Sequence, residues 1–407
     1  MASDEERALS GVRVVDLSQF EAGPAATLLL GWLGAEVIKV ERPRVGEQGR
    51  RARRRPDGED GLRWMLLNAN KKSVTLDMKD PRGSQLLEEL LRHADVLVEN
   101  FGPGAMERLG FSEERVAQIN PALIYARVKG FGAGRFADYV SVDPIGQATA
   151  GAMSLTGDSD GKPVRVGVNI ADSGTALHAT VGILAALHQR SSTGKGQVVR
   201  VNLQDSVANM CRVAFGLPLE SGQPSPRSGS GHNQSAPSGL YPCSPGGPND
   251  YCMIYTIITE PEGTRQWLGV LRAMGREDLT RDPRFNTREA RQENRAAVDE
   301  LVTNWTRERT KHEVMEALLA QGVPAGAVND TLDVVRDRDF SERGMIVDVQ
   351  HPTQGSVKML GMPITLSESP TPTTPAPLLG ADNVSLFTGL LGLDEEEVTA
   401  LHEDGII

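Results

Sequence analysis

The chain opens on a short apolar run, Val12 to Leu17, bounded by polar residues. A run of that length reads as a buried strand. Ala25 to Leu33 follows as a helix behind Gly23 and Pro24. Proline suits a first helical turn, where its missing N–H would have had no partner. Val37 to Val40 is a second strand and completes a βαβ unit. Ser84 to His93 is amphipathic, with Leu86, Leu87, Leu90 and Leu91 on one side, and Val96 to Val98 and Leu123 to Val128 are further strands. Alternating strands and helices predict an α/β fold with a parallel sheet covered on both faces. A second helical stretch starts at Asp172, with Leu177, Val181, Leu184 and Leu187 at helical spacing. It stops near Gly194-Lys195-Gly196, and Val198 to Val201 is the strand after it.

Further on the pattern changes. Pro218 to Pro248 is rich in Gly, Ser and Pro and reads as a linker and loop. Asp250 to Gly326 reads as a mixed, smaller region with helices at Thr264 to Met274, Ala296 to Trp305 and His312 to Ala320. A Thr/Pro spacer, Pro370 to Pro377, precedes an acidic closing helix, Leu391 to Leu401.

Bulk properties narrow the function. With 407 residues the chain is long enough for two domains. A net charge of −11 argues against general nucleic-acid binding, which needs a basic face. Cys211, Cys243 and Cys252 have no C-x-x-C spacing, so neither a disulfide framework nor a structural zinc is expected and a reducing cytoplasm fits. The acidic start, Met1 to Arg7, does not read as a signal peptide. The longest mostly apolar stretch, Ala25 to Ile38, is too short to span a bilayer and contains Glu36.

Few residues stand out chemically. Asp172 sits where a helix N-cap is expected, with the helix dipole favouring its ionised form and Gly174 allowing a close approach. A plain helix start explains the same residues. Arg50 to Arg55 is a basic cluster in an acidic chain, suited either to a nucleotide phosphate or to a solvated loop. Asn100-Phe101-Gly102-Pro103-Gly104 follows a strand, where doubly wound folds bind ligands, and is otherwise an ordinary turn. The first turn, Ser18 to Pro24, lacks the G-x-G-x-x-G of dinucleotide sites, which speaks against a nicotinamide oxidoreductase. No G-x-S-x-G elbow or P-loop is present, and the seven histidines lack metal-ligand spacing. His178 and His188, on the helix after Asp172, read as packing or surface residues, and Cys243 as a small buried thiol without a catalytic partner.

Taken together, several blocks resemble the family III CoA-transferases, including members that use oxalate. They are Gly11 to Leu17 with Ala22-Gly23-Pro24, Leu33 to Glu41, Asn70 to Ser73 with Leu76 to Lys79, and Val98 to Phe101 with Pro103-Gly104. Ala171-Asp172 leading to Leu184 to Leu187, Thr193 to Gln197, and Pro377 to Gly380 complete the set. The resemblance implies a Rossmann-like large domain, with 1–217 its N-terminal part and 336–407 its C-terminal part. It implies a linker and active-site lid over 218–248, a smaller mixed α/β domain over 249–335, and a homodimer of interlocked rings. It also implies a covalent mechanism with Asp172 as nucleophile, acyl-CoA and a small carboxylic acid as substrates, and no metal or tightly bound cofactor.

Carried over residue by residue, the resemblance gives CoA contacts at Phe20, Glu21, Ala22, Arg42, Leu76, Lys79, Asn100, Phe101, Gly102 and Arg108. It gives a substrate pocket at Asp143, Gln147, Gln234 and Ser235. There are departures. Glu21 stands where the oxalate-using members carry glutamine, Val140 where relatives carry a lysine, and Gly231 to Pro237 where the oxalate users close a glycine run over the site. These imply a different acyl pair and a more polar lid, because a second carboxylate would repel a dianionic acceptor or hold a proton. The racemases that share this fold need a second acid/base histidine at the position of Val142. A CoA-binding protein without catalysis would not need Asp172.

Overall fold

The computed structural model describes residues 7–51, 60–231 and 234–407, residue 51 by its backbone alone. The chain forms two compact units. The larger takes the described residues of Met1–Met153 with Arg165–Gln223 and Asp339–Ile407, and the smaller takes Ser154–Val164 and Pro224–Arg338.

The larger unit is an α/β fold on a six-stranded parallel sheet in the order β3-β2-β1-β4-β5-β6. The strands are β1 (Arg13–Asp16), β2 (Glu36–Glu41), β3 (Lys71–Thr75), β4 (Val96–Glu99), β5 (Ile124–Lys129) and β6 (Val198–Asn202). The helices that matter to the site are α1 (Ala22–Trp32), α2 (Leu62–Asn68), α3 (Pro81–Arg92), α4 (Asp143–Thr149) and α5 (Ile170–Thr193). Successive strand residues point to opposite faces. Val15, Leu17, Ile38 and Leu97 therefore join Leu86, Leu87, Leu90 and Leu91 of α3 in one core. Val14, Val37, Val96 and Val98 join Leu30 of α1 with Ile183 and Ala186 of α5 in another. With both faces covered, the middles of these strands are mostly apolar, and each buried leucine contributes roughly 2 kcal/mol.

The end of the chain returns to this sheet. Leu386, Phe387, Val398, Ile406 and Ile407 complete the first core. The Thr75 N–H donates to Asn383 Oδ1 at 2.8 Å, and the Asp77 N–H to the Ile406 carbonyl at 2.7 Å. The closing helix is Glu395–Glu403, shifted from the expected Leu391 to Leu401, because a reciprocal cap between Asp394 and Glu397 fixes its start.

Strand β3 does not follow from the apolar pattern, since it begins with two lysines. Lys71 is buried there because Asp16 Oδ2, Asn68 Oδ1 and the Pro24 carbonyl accept its three protons at 3.0, 2.9 and 3.0 Å. Lys39 Nζ lies 3.6 Å from the same Asp16 carboxylate, and the Thr27 hydroxyl donates to it at 2.7 Å. Burial alone would raise the Asp16 pKa, but the two ammonium groups, together with the Ser18 and Thr27 hydroxyls, outweigh it and hold the carboxyl well below the usual range.

Arg50 corrects one expectation. It is no surface arginine offering itself to a phosphate. It is 1% exposed, donates to Glu41 Oε2 and Oε1 at 2.9 and 2.8 Å, pairs with Asp60, and stacks 3.9 Å over the Trp64 ring. Residues 52–55 of that cluster lie outside the described residues.

A hairpin, Ile346–His351 with Gly355–Leu360, also belongs to the larger unit. Its Val349 and Met359 share a core with Leu28, Trp32 and Trp64. The smaller unit holds a three-stranded antiparallel sheet of Ser238–Pro242, Tyr251–Tyr255 and Ala325–Ala327. Its helices Glu262–Met274, Arg295–Thr306 and Lys311–Leu319 bury Trp267, Val298 and Val314 in one core. The stretch read as a linker, Pro218 to Pro248, thus contains the strand Ser238–Pro242, and it follows the start of a helix at Gly216–Ser221.

Candidate active site

The sheet order reverses between β1 and β4, so the connections leave these strands in opposite directions and open a crevice at their carboxyl ends. A cleft of about 530 Å³ lies there. The β1 end brings Phe20, Glu21 and Ala22, the β4 end Asn100 to Pro103, and the β5 end Val128 to Gly130. Asp172 reaches the same cleft from the first turn of α5, together with Asn169, Asp143 and Arg63.

The loop after β1 is held tightly. Asn100 Oδ1 accepts the Gln19 N–H at 2.7 Å, and its Nδ2 donates to the Gln19 carbonyl at 2.8 Å. Phe20 has φ 64°, a left-handed backbone unusual for a non-glycine residue, and its N–H donates to Glu47 Oε2 at 3.2 Å. At Gly23 a Cβ would come within 2.2 Å of the Ser18 Cβ, so the tight return into α1 needs glycine.

Asp172 is not the N-cap. Asn169 holds that position and Asp172 is the third residue inside the helix. The cap comes from elsewhere in sequence. Asp143 Oδ1 accepts the Ala171 N–H at 2.8 Å and the Asp172 N–H at 3.4 Å. Gln147 braces Asp143, its Nε2 donating to Asp143 Oδ2 at 2.8 Å and to the Val168 carbonyl at 3.2 Å while its Oε1 accepts the Val166 N–H at 3.0 Å. Gln147 is fully buried and does not line the cleft. Gly174 does allow a close approach. A Cβ there would lie 2.3 Å from Met210 Sδ, so this glycine admits the neighbouring helix Leu203–Met210.

The site is electrostatically frustrated. Burial, then Glu21, then Asp143 push the Asp172 carboxyl up to about 7, with Arg63 opposing them. Glu21 Oε2 accepts from Arg63 Nη2 at 3.0 Å and from Asn169 Nδ2 at 2.6 Å. Lys129, the other cation of the cleft, is taken by Glu99 Oε2 at 2.8 Å and the Phe101 carbonyl at 2.7 Å.

The remaining candidates lie elsewhere. Arg42 and Lys79 are exposed beyond the carboxyl ends of β2 and β3, and Arg108 is exposed beyond β4, its Nη1 donating to the Pro103 carbonyl at 3.3 Å. Leu76 is buried in the core. Gln234 and Ser235 belong to the smaller unit. Gln234 is exposed there, whereas Ser235 is buried with its hydroxyl 2.6 Å from that of Thr256. His232 and Asn233 lie outside the described residues. No described histidine lines the cleft, and Val142 stands there with an aliphatic side chain. His178 is tied to the Gly174 carbonyl at 2.7 Å. Among the described residues no group of three His, Cys, Asp or Glu side chains converges as a metal site.

Sequence reasoning missed Arg63, Asn169 and Lys129. No spacing links Arg63 or Asn169 to Glu21, and only the folded sheet edge brings them together. Helix α5 is long and apolar enough to cross a membrane by length and composition. It instead buries Ala171, Ala176, Ala179, Ile183 and Ala186 within the larger unit.

Comparison with known proteins gives the arrangement a context. Residues 9–383 match the model of CoA-transferase family III. The chain is 42% identical to a formyl-CoA:oxalate CoA-transferase of Streptomyces avermitilis over 98% of its length and 100% of that protein. It is 41% identical to one of Streptomyces coelicolor, over 98% and 99%. A crystal structure of a CAIB/BAIF family protein from Brucella suis superposes with a TM-score of 0.84 at 33% identity, covering 95% of this chain and 100% of that one. A crystal structure from M. tuberculosis superposes with a TM-score of 0.78 at 28% identity, covering 93% and 98%. The chain therefore belongs to CoA-transferase family III, and it is a CoA-transferase enzyme acting on acyl-CoA.

Proposed function

We propose that this enzyme carries CoA from an acyl-CoA donor to a carboxylic acid through covalent intermediates on Asp172. One observation carries the reading: a part-buried carboxylate at the first turn of α5 opens into a cleft at the switch point of the sheet. Asp172 attacks the donor thioester carbonyl, the C–S bond breaks, and a mixed anhydride and CoA thiolate result. The thiolate attacks the aspartyl carbonyl and expels the donor acid, leaving an aspartyl-CoA thioester. The acceptor carboxylate attacks that thioester and releases the thiolate. Attack of the thiolate on the acceptor's acyl carbon frees Asp172 and yields the new acyl-CoA. A carboxylate is a weak nucleophile, so fixed geometry has to supply much of the rate.

In this reading Phe20, Glu21, Ala22, Asn100, Phe101 and Gly102 flank the pantetheine end of CoA. Arg42, Lys79 and Arg108 receive its phosphates, and Leu76 supports that edge from below. Asp143 and Gln147 set the nucleophile's helix, and Gln234 and Ser235 belong to a lid segment. A cytoplasmic homodimer goes with it. Three free cysteines and the exposed Leu177, Val181, Val213 and Leu219 support that part. The test is a transfer assay with formyl-, acetyl-, succinyl- and butyryl-CoA against a panel of acids. New acyl-CoA that disappears in Asp172→Ala supports the reading. Undiminished transfer by that variant removes Asp172 from the mechanism.

A further inference from the structure

We infer that Arg63 receives the carboxylate of the acceptor acid, and that this acceptor is a small monocarboxylate with an apolar body. The inference rests on the transferase reading and deepens it. Arg63 projects from α2 into the cleft and remains 46% exposed although it is ion-paired. Its Nη2 spends one contact on Glu21. Glu21 is in turn held by Asn169, the cap residue of the helix that bears Asp172. Glu21 therefore fixes the guanidinium relative to the nucleophile's helix, and the rest of its planar fork stays open to a carboxylate, which it binds with two parallel hydrogen bonds.

Timing and charge fit this role. Once Asp172 is acylated it is neutral, so an incoming carboxylate no longer meets its charge. The other cation of the cleft, Lys129, is already satisfied by Glu99 and Phe101. A second carboxylate on the acceptor would find Glu21 and Asp143 with no further open cation among the residues that line the cleft. The acceptor's remaining surface meets carbon. Phe20, Tyr139, Val140 and Val142 line the cleft and are 49%, 64%, 82% and 60% exposed.

The test measures two half-reactions separately, with whichever of formyl-, acetyl-, succinyl- or butyryl-CoA loads Asp172. Release of the donor acid without acceptor reports loading, and product acyl-CoA against butyrate, phenylacetate, oxalate or malonate reports acceptor use. Arg63→Ala is expected to raise the acceptor KM about tenfold or more, the loss of a charge-assisted pair, while slowing loading far less. Arg63→Lys recovers part of the loss because it restores the charge without the fork. In the unmodified enzyme butyrate and phenylacetate are used in preference to oxalate and malonate. An unchanged acceptor KM in Arg63→Ala, or an equal loss in both half-reactions, overturns the assignment of Arg63. Preference for oxalate or malonate overturns the acceptor class. If Asp172 is never loaded by any donor, the transferase mechanism falls and this inference with it, a result distinct from loading without Arg63 dependence.

Discussion

Asp143 caps the helix that carries Asp172 from outside that helix, its Oδ1 accepting the N–H groups of Ala171 at 2.8 Å and Asp172 at 3.4 Å. The first turn of a helix leaves N–H groups unpaired, and a local N-cap side chain usually takes one. Here Asn169 turns its side chain to Glu21 instead, and a carboxylate from α4 does the capping. The backbone of the nucleophile is thereby clamped while its own carboxylate stays clear of cap duty.

Removing that clamp is expected to cost catalysis more than binding. Asp143→Ala should lower kcat by roughly 10–100-fold with a smaller change in the donor KM, since small misplacements of a reacting group are expensive. Asp143→Asn keeps an acceptor oxygen for the two N–H groups but turns its amide nitrogen toward Gln147 Nε2, and should recover part of kcat. Steady-state kinetics of both variants check this, and equal defects in the two would show that charge and not capping is what Asp143 supplies.

Activity should fall on the acid side of neutrality. Asp172 attacks as the anion, and burial with Glu21 and Asp143 pushes its carboxyl up to about 7. Protonation below that pH removes the nucleophile. Glu21→Gln removes one of the charges that raise it, so the acid limb of kcat/KM should move to lower pH in that variant. A profile that stays in place contradicts the assignment of that limb to Asp172.

The same shift bears on stability. A carboxyl whose folded pKa lies above its unfolded value binds its proton more tightly in the folded state. Stability is therefore lost as pH rises from near 3.8 toward about 7. Asp172→Asn should make the fold more stable at pH 8, by on the order of 2 kcal/mol, with little effect at pH 4. Denaturant titration at the two pH values measures the difference.

The buried Asp16 behaves in the opposite sense. Its carboxyl is held down by Lys39 and Lys71, so the stability it contributes is present at neutral pH and lost as pH falls below the unfolded carboxylate range. Asp16→Asn leaves two ammonium groups buried and underpaired, and should cost about 3–5 kcal/mol at pH 7. Thermal or urea unfolding reads this directly.

Much of the larger unit was legible in the sequence, because its strands are covered on both faces and leave short, mostly apolar runs such as Val12 to Leu17. Strand β3 was not, since Lys71 is buried by a partner 55 residues away. The hairpin Ile346–His351 with Gly355–Leu360 mixes polar residues into both strands and shows no apolar run. For the site, motifs pointed to Asp172, Glu21 and Asn100, each beside a strand end or helix start. Arg63 carried no local signal and Asn169 only that of a helix N-cap, because their meaning at the site lies in the contacts each makes with Glu21. Arg50 misled for the same reason. Its buried partner Glu41 closes the preceding strand, and sequence alone does not reveal that the two meet.

Peptide mass spectrometry after brief reaction with acyl-CoA tests the central claim most directly. Quenching with hydroxylamine should convert Asp172 to its hydroxamate, and borohydride should reduce an aspartyl-CoA thioester to the alcohol. Label confined to the peptide bearing Asp172, and missing from Asp172→Ala, is the predicted result. Transfer that proceeds with no label at Asp172, or label on another residue in the unmodified enzyme, contradicts it.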